Sequence, residues 1–218
     1  DVCSSDLVWD RGLVAIITAG SFAGAVLSSE LLKLLLPHPN LAPGMLKYDD
    51  LDIETFPSGH ATISMAFVLG LVLVSTPFAR RWTALFGMAW APFVAMGTVT
   101  AGWHRMSDAI GGIAMAAAWM GTGAALSMVV CGRLAGHVYR VRAIWIETGI
   151  VGALGLGAIA IWSVYGYVHG VWDGGSLHDY AIAEALICGC ALATVALFTV
   201  LVGPVTFHRQ QSPEPVPA

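Results

Sequence analysis

Charged side chains are scarce in this sequence, at 11% of its 218 residues, whereas soluble domains carry about 25%. Hydrophobic residues make up 57% of the chain, and the mean hydropathy is +0.75. A charged side chain at the centre of a bilayer costs about 2.5 to 3.5 kcal/mol on insertion scales. The composition therefore excludes an ordinary soluble domain and indicates an integral membrane protein, in which the few polar clusters are candidate functional sites.

The chain also lacks basic stripes and a cysteine framework. Its net charge is −4, and its ten Lys and Arg residues form no run that could neutralise phosphates along a duplex, which excludes nucleic acid as a partner. The four cysteines are too few and too poorly placed for a disulfide scaffold. We interpret them as packing residues: Cys3, Cys131, Cys188 and Cys190.

Long apolar runs predict the fold, because about 20 apolar residues cross a bilayer. The six candidate spans are Gly12–Leu36, Ala61–Phe78, Thr83–Ala101, Ala109–Val130, Ala143–Val168 and Ala181–Phe207. They predict an all-α, polytopic membrane helix bundle, with one transmembrane domain over residues 12–207. Residues 1–11 are expected to be truncated or disordered and residues 208–218 to be a disordered tail, and a short turn at residues 79–82 should join spans two and three.

Basic residues are distributed unevenly between the two predicted membrane faces. One face holds seven of them: Arg11, Arg80, Arg81, Arg133, Arg140, Arg142 and Arg209. The other face holds Lys33, Lys47 and Arg105. Because cytoplasmic loops are enriched in Lys and Arg, the second face should be extracytoplasmic, in what we expect to be a bacterial plasma (inner) membrane.

Three polar segments meet at this predicted outer face, namely residues 33–39, 57–60 and 104–108. A helix start rich in Pro, Ser and Gly presents unpaired N–H groups and a positive dipole end, which suit an anion such as phosphate. His104 and Asp108 are four residues apart and share a helical face if a helix begins around them. A carboxylate that contacts one imidazole nitrogen fixes the tautomer and leaves the other nitrogen as a nucleophile or base, and His60 is available to protonate a leaving oxygen.

The motif Pro57-Ser58-Gly59-His60 resembles the second signature of the type 2 phosphatidic acid phosphatases, a superfamily that includes vanadium haloperoxidase-like enzymes. The segment from His104 to Asp108 resembles the end of the third signature. The resemblance implies a six-helix lipid phosphate phosphatase that needs no metal or cofactor and forms a phosphohistidine. In it, His104 is the nucleophile, Asp108 its partner and His60 the general acid. Phosphate-binding residues on this reading are Lys33, His38, Ser58, Gly59 and Arg105.

Two positions depart from the family pattern. Thr98 stands where the third signature has an arginine, and the Arg-Pro of the first signature is His38-Pro39 here, with Lys33 closer to it than usual. An arginine fork donates two hydrogen bonds to a phosphate at once, whereas a histidine donates one. The departures predict a weaker or more specialised phosphate site.

Three other functions compete with the phosphatase. A metal-dependent membrane hydrolase would use His60, His104 and Asp108 as ligands. A serine hydrolase would use Ser58 with His104 and Asp108. A degenerate, non-catalytic member would bind a phospholipid headgroup or scaffold a complex. A site at the membrane edge predicts membrane lipids as partners and a lipid phosphate or polyprenyl diphosphate as substrate, and leaves the lipid and the oligomeric state open.

Overall fold

The computed structural model describes residues 2–36, 56–101, 103–130, 133–134, 176–203 and 205–206. This part of the chain contains α1 (Val2–Leu35), α2 (Gly59–Val74), α3 (Pro77–Thr100), α4 (Met106–Val130) and α5 (Ser176–Val202). Two short strands, β1 (Arg133–Leu134) and β2 (Val205–Thr206), pair antiparallel. The all-α membrane fold is confirmed. The predicted span Ala143–Val168 lies outside the described residues, and α1 includes most of the N-terminal segment set apart from the spans.

Four of the described helices are long and apolar enough to cross a membrane, over Arg11–Leu35, Pro77–Thr100, Met106–Val130 and Ala181–Val202. The remaining helix, α2, has 16 residues, or about 24 Å at 1.5 Å per residue. It contacts all four of the other helices, and Met65, Leu69 and Leu73 along it are fully buried. A short helix surrounded by protein holds its N-terminal end in a fixed place.

The turn between α2 and α3 lies at Ser75 and Thr76, so its prediction at residues 79–82 was wrong. Thr76 is the N-cap of α3, its hydroxyl accepts a hydrogen bond from Ala79 N–H at 3.3 Å, and Pro77 begins the helix. A threonine N-cap followed by proline is a strong helix start. The two arginines that suggested a loop are therefore inside the first turns of α3.

Arg80 is buried, with 2% of its surface exposed, at the end of the bundle where α2 and α5 finish. Its guanidinium donates hydrogen bonds to backbone carbonyls of both segments: Val72 at 3.2 Å, Ser75 at 3.2 Å, Val202 at 2.9 Å, Gly203 at 3.2 Å and Val205 at 3.2 Å. Carbonyls at helix C-termini lack partners within the helix. A cation there satisfies them and the negative dipole ends together.

Glycines allow close approach of the helices, as expected from small residues in membrane bundles. A Cβ added at Gly112 on α4 would lie 2.6 Å from the Ser58 carbonyl oxygen and 3.0 Å from the Thr62 nitrogen. A Cβ added at Gly24 on α1 would lie 2.6 Å from the ring of Trp119. Packing, rather than ligand binding, therefore accounts for these glycines.

Candidate functional site

The predicted site residues that the structure describes lie at the end of the bundle opposite Arg80, where α1 and α3 end and α2 and α4 begin. Gly59 lies against Lys33, since an added Cβ would be 3.3 Å from Nζ. Ser58 N–H donates to the Asp108 carbonyl at 2.9 Å. The rings of His60 and His104 have centroids 6.4 Å apart. Residues more than 70 positions apart in sequence therefore share one site.

Ser58 is the N-cap of α2. Its hydroxyl accepts a hydrogen bond from Ala61 N–H at 3.3 Å, and its carbonyl accepts from Thr62 N–H and from the Thr62 hydroxyl. The first amides of a helix have no partner within it, and Ser58 satisfies only the Ala61 amide with its side chain. The amides of Gly59 and His60 head the helix at its positive dipole end, which favours an anion.

His104 and Asp108 lie beside each other, but not on one helical face as predicted, because α4 begins at Met106 and His104 precedes it. Nδ1 of His104 lies 3.7 Å from Oδ2 of Asp108 and is buried with no hydrogen-bond partner among the described residues. The distance is beyond the range of a hydrogen bond, as it often is for such pairs before substrate binds. The geometry places Nδ1 beside the Asp108 carboxylate, and Nε2 lies on the far side of the ring.

Asp108 also caps the start of α4 from the first turn of that helix. Its Oδ2 accepts a hydrogen bond from Arg105 N–H at 2.9 Å, and its Oδ1 accepts from the Ser107 hydroxyl at 3.2 Å. A carboxylate at the third helical position that reaches back to the N-cap amide is one half of a capping box. Asp108 is only 2% exposed, so its charge is shielded from solvent.

His104 owes its position to the end of α3. The backbone N–H groups of Trp103 and His104 both donate to the Thr98 carbonyl, at 3.1 and 3.3 Å. The Thr98 hydroxyl donates to the Ala95 carbonyl at 2.8 Å, and Thr98 is 4% exposed. At the place of the family's arginine, this chain therefore has a buried residue that holds the loop through its backbone.

His60 is exposed beside an aromatic residue at the mouth of the site. The ring centroids of His60 and Trp103 are 5.7 Å apart, and Trp103 is 62% exposed. Phe56, 38% exposed, packs over Gly111 nearby on α4. Exposed aromatic rings at a span end suit the interface between lipid and water.

Glu30 belongs to the site and was missed in the sequence. Its Oε1 accepts a hydrogen bond from Lys33 Nζ at 2.6 Å and would lie 3.1 Å from a Cβ at Gly59. The available signal was an acidic residue three positions before a lysine, which places both on one helical face. A carboxylate beside a predicted phosphate site ran against the expected chemistry, so the pattern gave no reason to select it.

Arg105 is exposed at the N-cap of α4, and its backbone N–H binds Asp108 as described above. Its side chain has no ion pair within the described ranges. His38 lies outside the described residues. Arg105 follows His104 directly in the sequence, so its backbone lies beside the site.

The geometry supports neither of the two competing enzyme classes, the metal hydrolase and the serine hydrolase. Over the described residues, no three His, Cys, Asp or Glu side chains are arranged to hold a metal ion, so a metal hydrolase finds no support there. Ser58 is fully buried and its hydroxyl is engaged as an N-cap. A serine nucleophile would need an exposed hydroxyl in contact with a base, and Ser58 offers neither.

Comparison with known proteins adds one finding. A family model described as the PAP2 superfamily matches residues 13–127, which is more than half of the chain. The matched range begins in α1 and ends in α4, and so includes all the helix ends that form the site. No curated protein and no solved structure matches the chain.

Proposed function

Because the chain belongs to the PAP2 superfamily, a family of phosphatase type, we propose that it hydrolyses a lipid phosphate or diphosphate through a phosphohistidine on His104. One observation carries the proposal: a carboxylate-paired histidine, a second histidine, a lysine and a helix N-terminus lie at one end of the bundle. Each component has a separate task in phosphoryl transfer, and none duplicates another. Positioning and charge stabilisation supply most of the catalysis in such reactions.

The proposed reaction has two steps. In the first, Nε2 of His104 attacks phosphorus while the P–O bond to the lipid breaks and His60 gives its proton to the leaving oxygen. Asp108 stabilises the positive charge that develops on the His104 ring. In the second, water attacks phosphorus, His60 takes its proton, the P–N bond breaks and inorganic phosphate leaves. Histidine suits both roles of His60 because an imidazole nitrogen can donate a proton in one step and accept one in the next.

Phosphate binding is assigned to groups around the α2 N-terminus. The amides of Gly59 and His60 would donate to phosphate oxygens, and Ser58 would hold those amides in place as the helix cap. Lys33 and Arg105 would supply positive charge, with His38 as a further donor. Backbone amides and cations fixed before substrate arrives stabilise the transition state without reorganising.

The surroundings of the site support a lipid substrate. Trp103 and Phe56 are exposed beside the histidines, where a substrate's acyl or polyprenyl chain can remain in the bilayer while its headgroup reaches His60. The excess of Lys and Arg at the opposite membrane face supports an extracytoplasmic site, which we place in a bacterial plasma membrane. Phosphatidate, phosphatidylglycerol phosphate and polyprenyl diphosphate all meet these requirements.

The decisive test is trapping of the intermediate. Purified protein in detergent micelles is mixed with radiolabelled phosphatidate and quenched in alkali, which preserves phosphohistidine. We expect label on the wild type and none on His104→Ala, whose turnover should also be abolished while its unfolding temperature is unchanged. Asp108→Asn should turn over at a reduced but measurable rate. Near-normal turnover by His104→Ala would show that the nucleophile lies elsewhere.

A leaving-group comparison tests the role of His60. His60→Ala should slow hydrolysis of phosphatidate by roughly a hundredfold or more, since general acid catalysis contributes about 10² to 10⁴. Because His60 also deprotonates water in the second step, the comparison uses the first step alone, measured as the rate of phosphoenzyme formation. That rate should fall much less with p-nitrophenyl phosphate than with phosphatidate, because nitrophenolate leaves without a proton. Equal losses of this first-step rate on the two substrates would contradict a general-acid role.

Thr98 supports a second candidate, a non-catalytic member that binds phospholipid headgroups. Its hydroxyl donates to the carbonyl of Ala95 within α3, so that side chain offers no replacement for the family's arginine. The second candidate predicts headgroup binding without phosphate release. Absence of turnover on all three lipid classes, together with saturable binding of phosphatidate, would favour it.

A further inference from the structure

The ammonium of Lys33 already has an anionic partner in this structure. Glu30 Oε1 lies 2.6 Å from Lys33 Nζ. A Cβ added at Gly59 would lie 3.1 Å from Oε1 of Glu30 and 3.3 Å from Nζ of Lys33. The carboxylate and the ammonium thus meet beside the first residue of α2. A phosphate oxygen bound by Lys33 and the α2 amides would have to lie in the same small region.

We propose that Glu30 is the resting counter-ion of Lys33 and competes with the phosphoryl group for it, an inference that rests on the proposed function. The two side chains differ in conformational freedom, since the Lys33 side chain is 17% exposed and the Glu30 side chain is 58% exposed. Exposed ion pairs contribute little to stability because solvent screens them. Glu30 can therefore rotate away while Lys33 remains against Gly59.

The competition between Glu30 and the phosphoryl group affects both substrate binding and product release. A phosphomonoester carries up to two negative charges and displaces a single carboxylate from the ammonium. Once inorganic phosphate has formed, Glu30 re-forms its ion pair with Lys33 and thereby accelerates release of the phosphate. Since Thr98 has replaced one arginine of the family pattern, Lys33 carries a larger share of the phosphate affinity. Glu30 then sets how tightly the site holds substrate and product.

Glu30→Gln tests the inference, because the amide keeps an acceptor oxygen and removes only the charge. Phosphate must replace the attraction between the Glu30 carboxylate and the Lys33 ammonium, and two unit charges about 4 Å apart in a water-like medium attract each other by enough to change a binding constant about fivefold. We expect inorganic phosphate and orthovanadate to inhibit Glu30→Gln about fivefold more tightly than wild type, with a lower KM for phosphatidate. The kcat should stay the same or fall as product release slows. Weaker inhibition and a higher KM would mean that Glu30 only positions Lys33, and would overturn the competition.

Two further variants sharpen the test. In a Lys33→Met background, Glu30→Gln should lose most of its effect on vanadate inhibition, and a persistent fivefold gain would overturn competition for Lys33. Glu184→Gln is the matched control, because Glu184 accepts a hydrogen bond from Thr100 at 3.0 Å on α5 and a glutamine can accept the same bond. It should leave vanadate inhibition unchanged.

The outcomes separate the inference from the function on which it rests. Normal turnover with unchanged inhibition in Glu30→Gln overturns the competition alone. Absence of both turnover and vanadate binding, in wild type and variant alike, overturns the proposed phosphatase and the competition with it. Folding is monitored by thermal unfolding of each variant, and Glu30→Ala serves as a second charge-removing variant at this exposed position.

Discussion

Gly112 connects the packing of the bundle to the geometry of the site. In Gly112→Ala, the new methyl group would meet the Ser58 carbonyl oxygen at 2.6 Å and the Thr62 nitrogen at 3.0 Å. Both are backbone atoms of the first turn of α2, so neither can rotate away as a side chain would. Restoring an ordinary contact of 3.4 Å to the oxygen requires α2 and α4 to separate by about 0.8 Å at this point.

The displacement should affect catalysis more than stability. Overpacking a core typically costs about 1 to 3 kcal/mol, which lowers an unfolding midpoint by roughly 2 to 4 °C per kcal/mol in a chain of this size. The same movement shifts the Ser58 cap, the α2 amides and His60 relative to His104. Because a misplacement of about 1 Å can cost about a hundredfold in rate, we expect kcat/KM on phosphatidate to fall tenfold or more.

The assay pairs phosphate release in detergent micelles with thermal unfolding of the same samples. Gly121→Ala is the matched control, because it lies on the same helix and an added Cβ there meets nothing within 4 Å. It should keep wild-type activity and stability. The reasoning is refuted if Gly112→Ala retains full activity with an unchanged midpoint, or if Gly121→Ala is equally damaging.

Two further predictions concern the opposite end of the bundle and its orientation. Arg80→Met should lower the free energy of unfolding by roughly 3 kcal/mol or more, because buried carbonyls of α2 and α5 lose their donor, while Arg81→Met at an exposed position should cost far less. Thermal unfolding in detergent measures both, and equal midpoints would contradict the structural role. In a variant without native cysteines, Ser107→Cys should react with an impermeant thiol reagent in intact cells and Trp82→Cys should not. The reverse pattern would place the site in the cytoplasm.

Local chemistry made the fold class and the two main motifs predictable from sequence. Scarce charge and apolar runs of about 20 residues have few solutions other than membrane helices, since backbone groups must be satisfied within the bilayer. The four-residue spacing of His104 and Asp108 predicted that their side chains would lie close together, although His104 precedes α4 rather than lying on it. Ser58 before a helix start is a local cap signal. The Thr76-Pro77 helix start was equally local, and was missed because two neighbouring arginines suggested a loop.

Contacts between distant segments were decided only by the tertiary structure. Glu30 enters the site because α1 ends beside the start of α2, and no pattern within α1 reveals that approach. Thr98 holds the His104 loop through a backbone carbonyl, a role for which its side chain carries no signal. Arg80 is buried rather than solvated because the C-termini of α2 and α5 converge on it. Such roles depend on which helix ends meet, and that is set by the packing of the whole bundle.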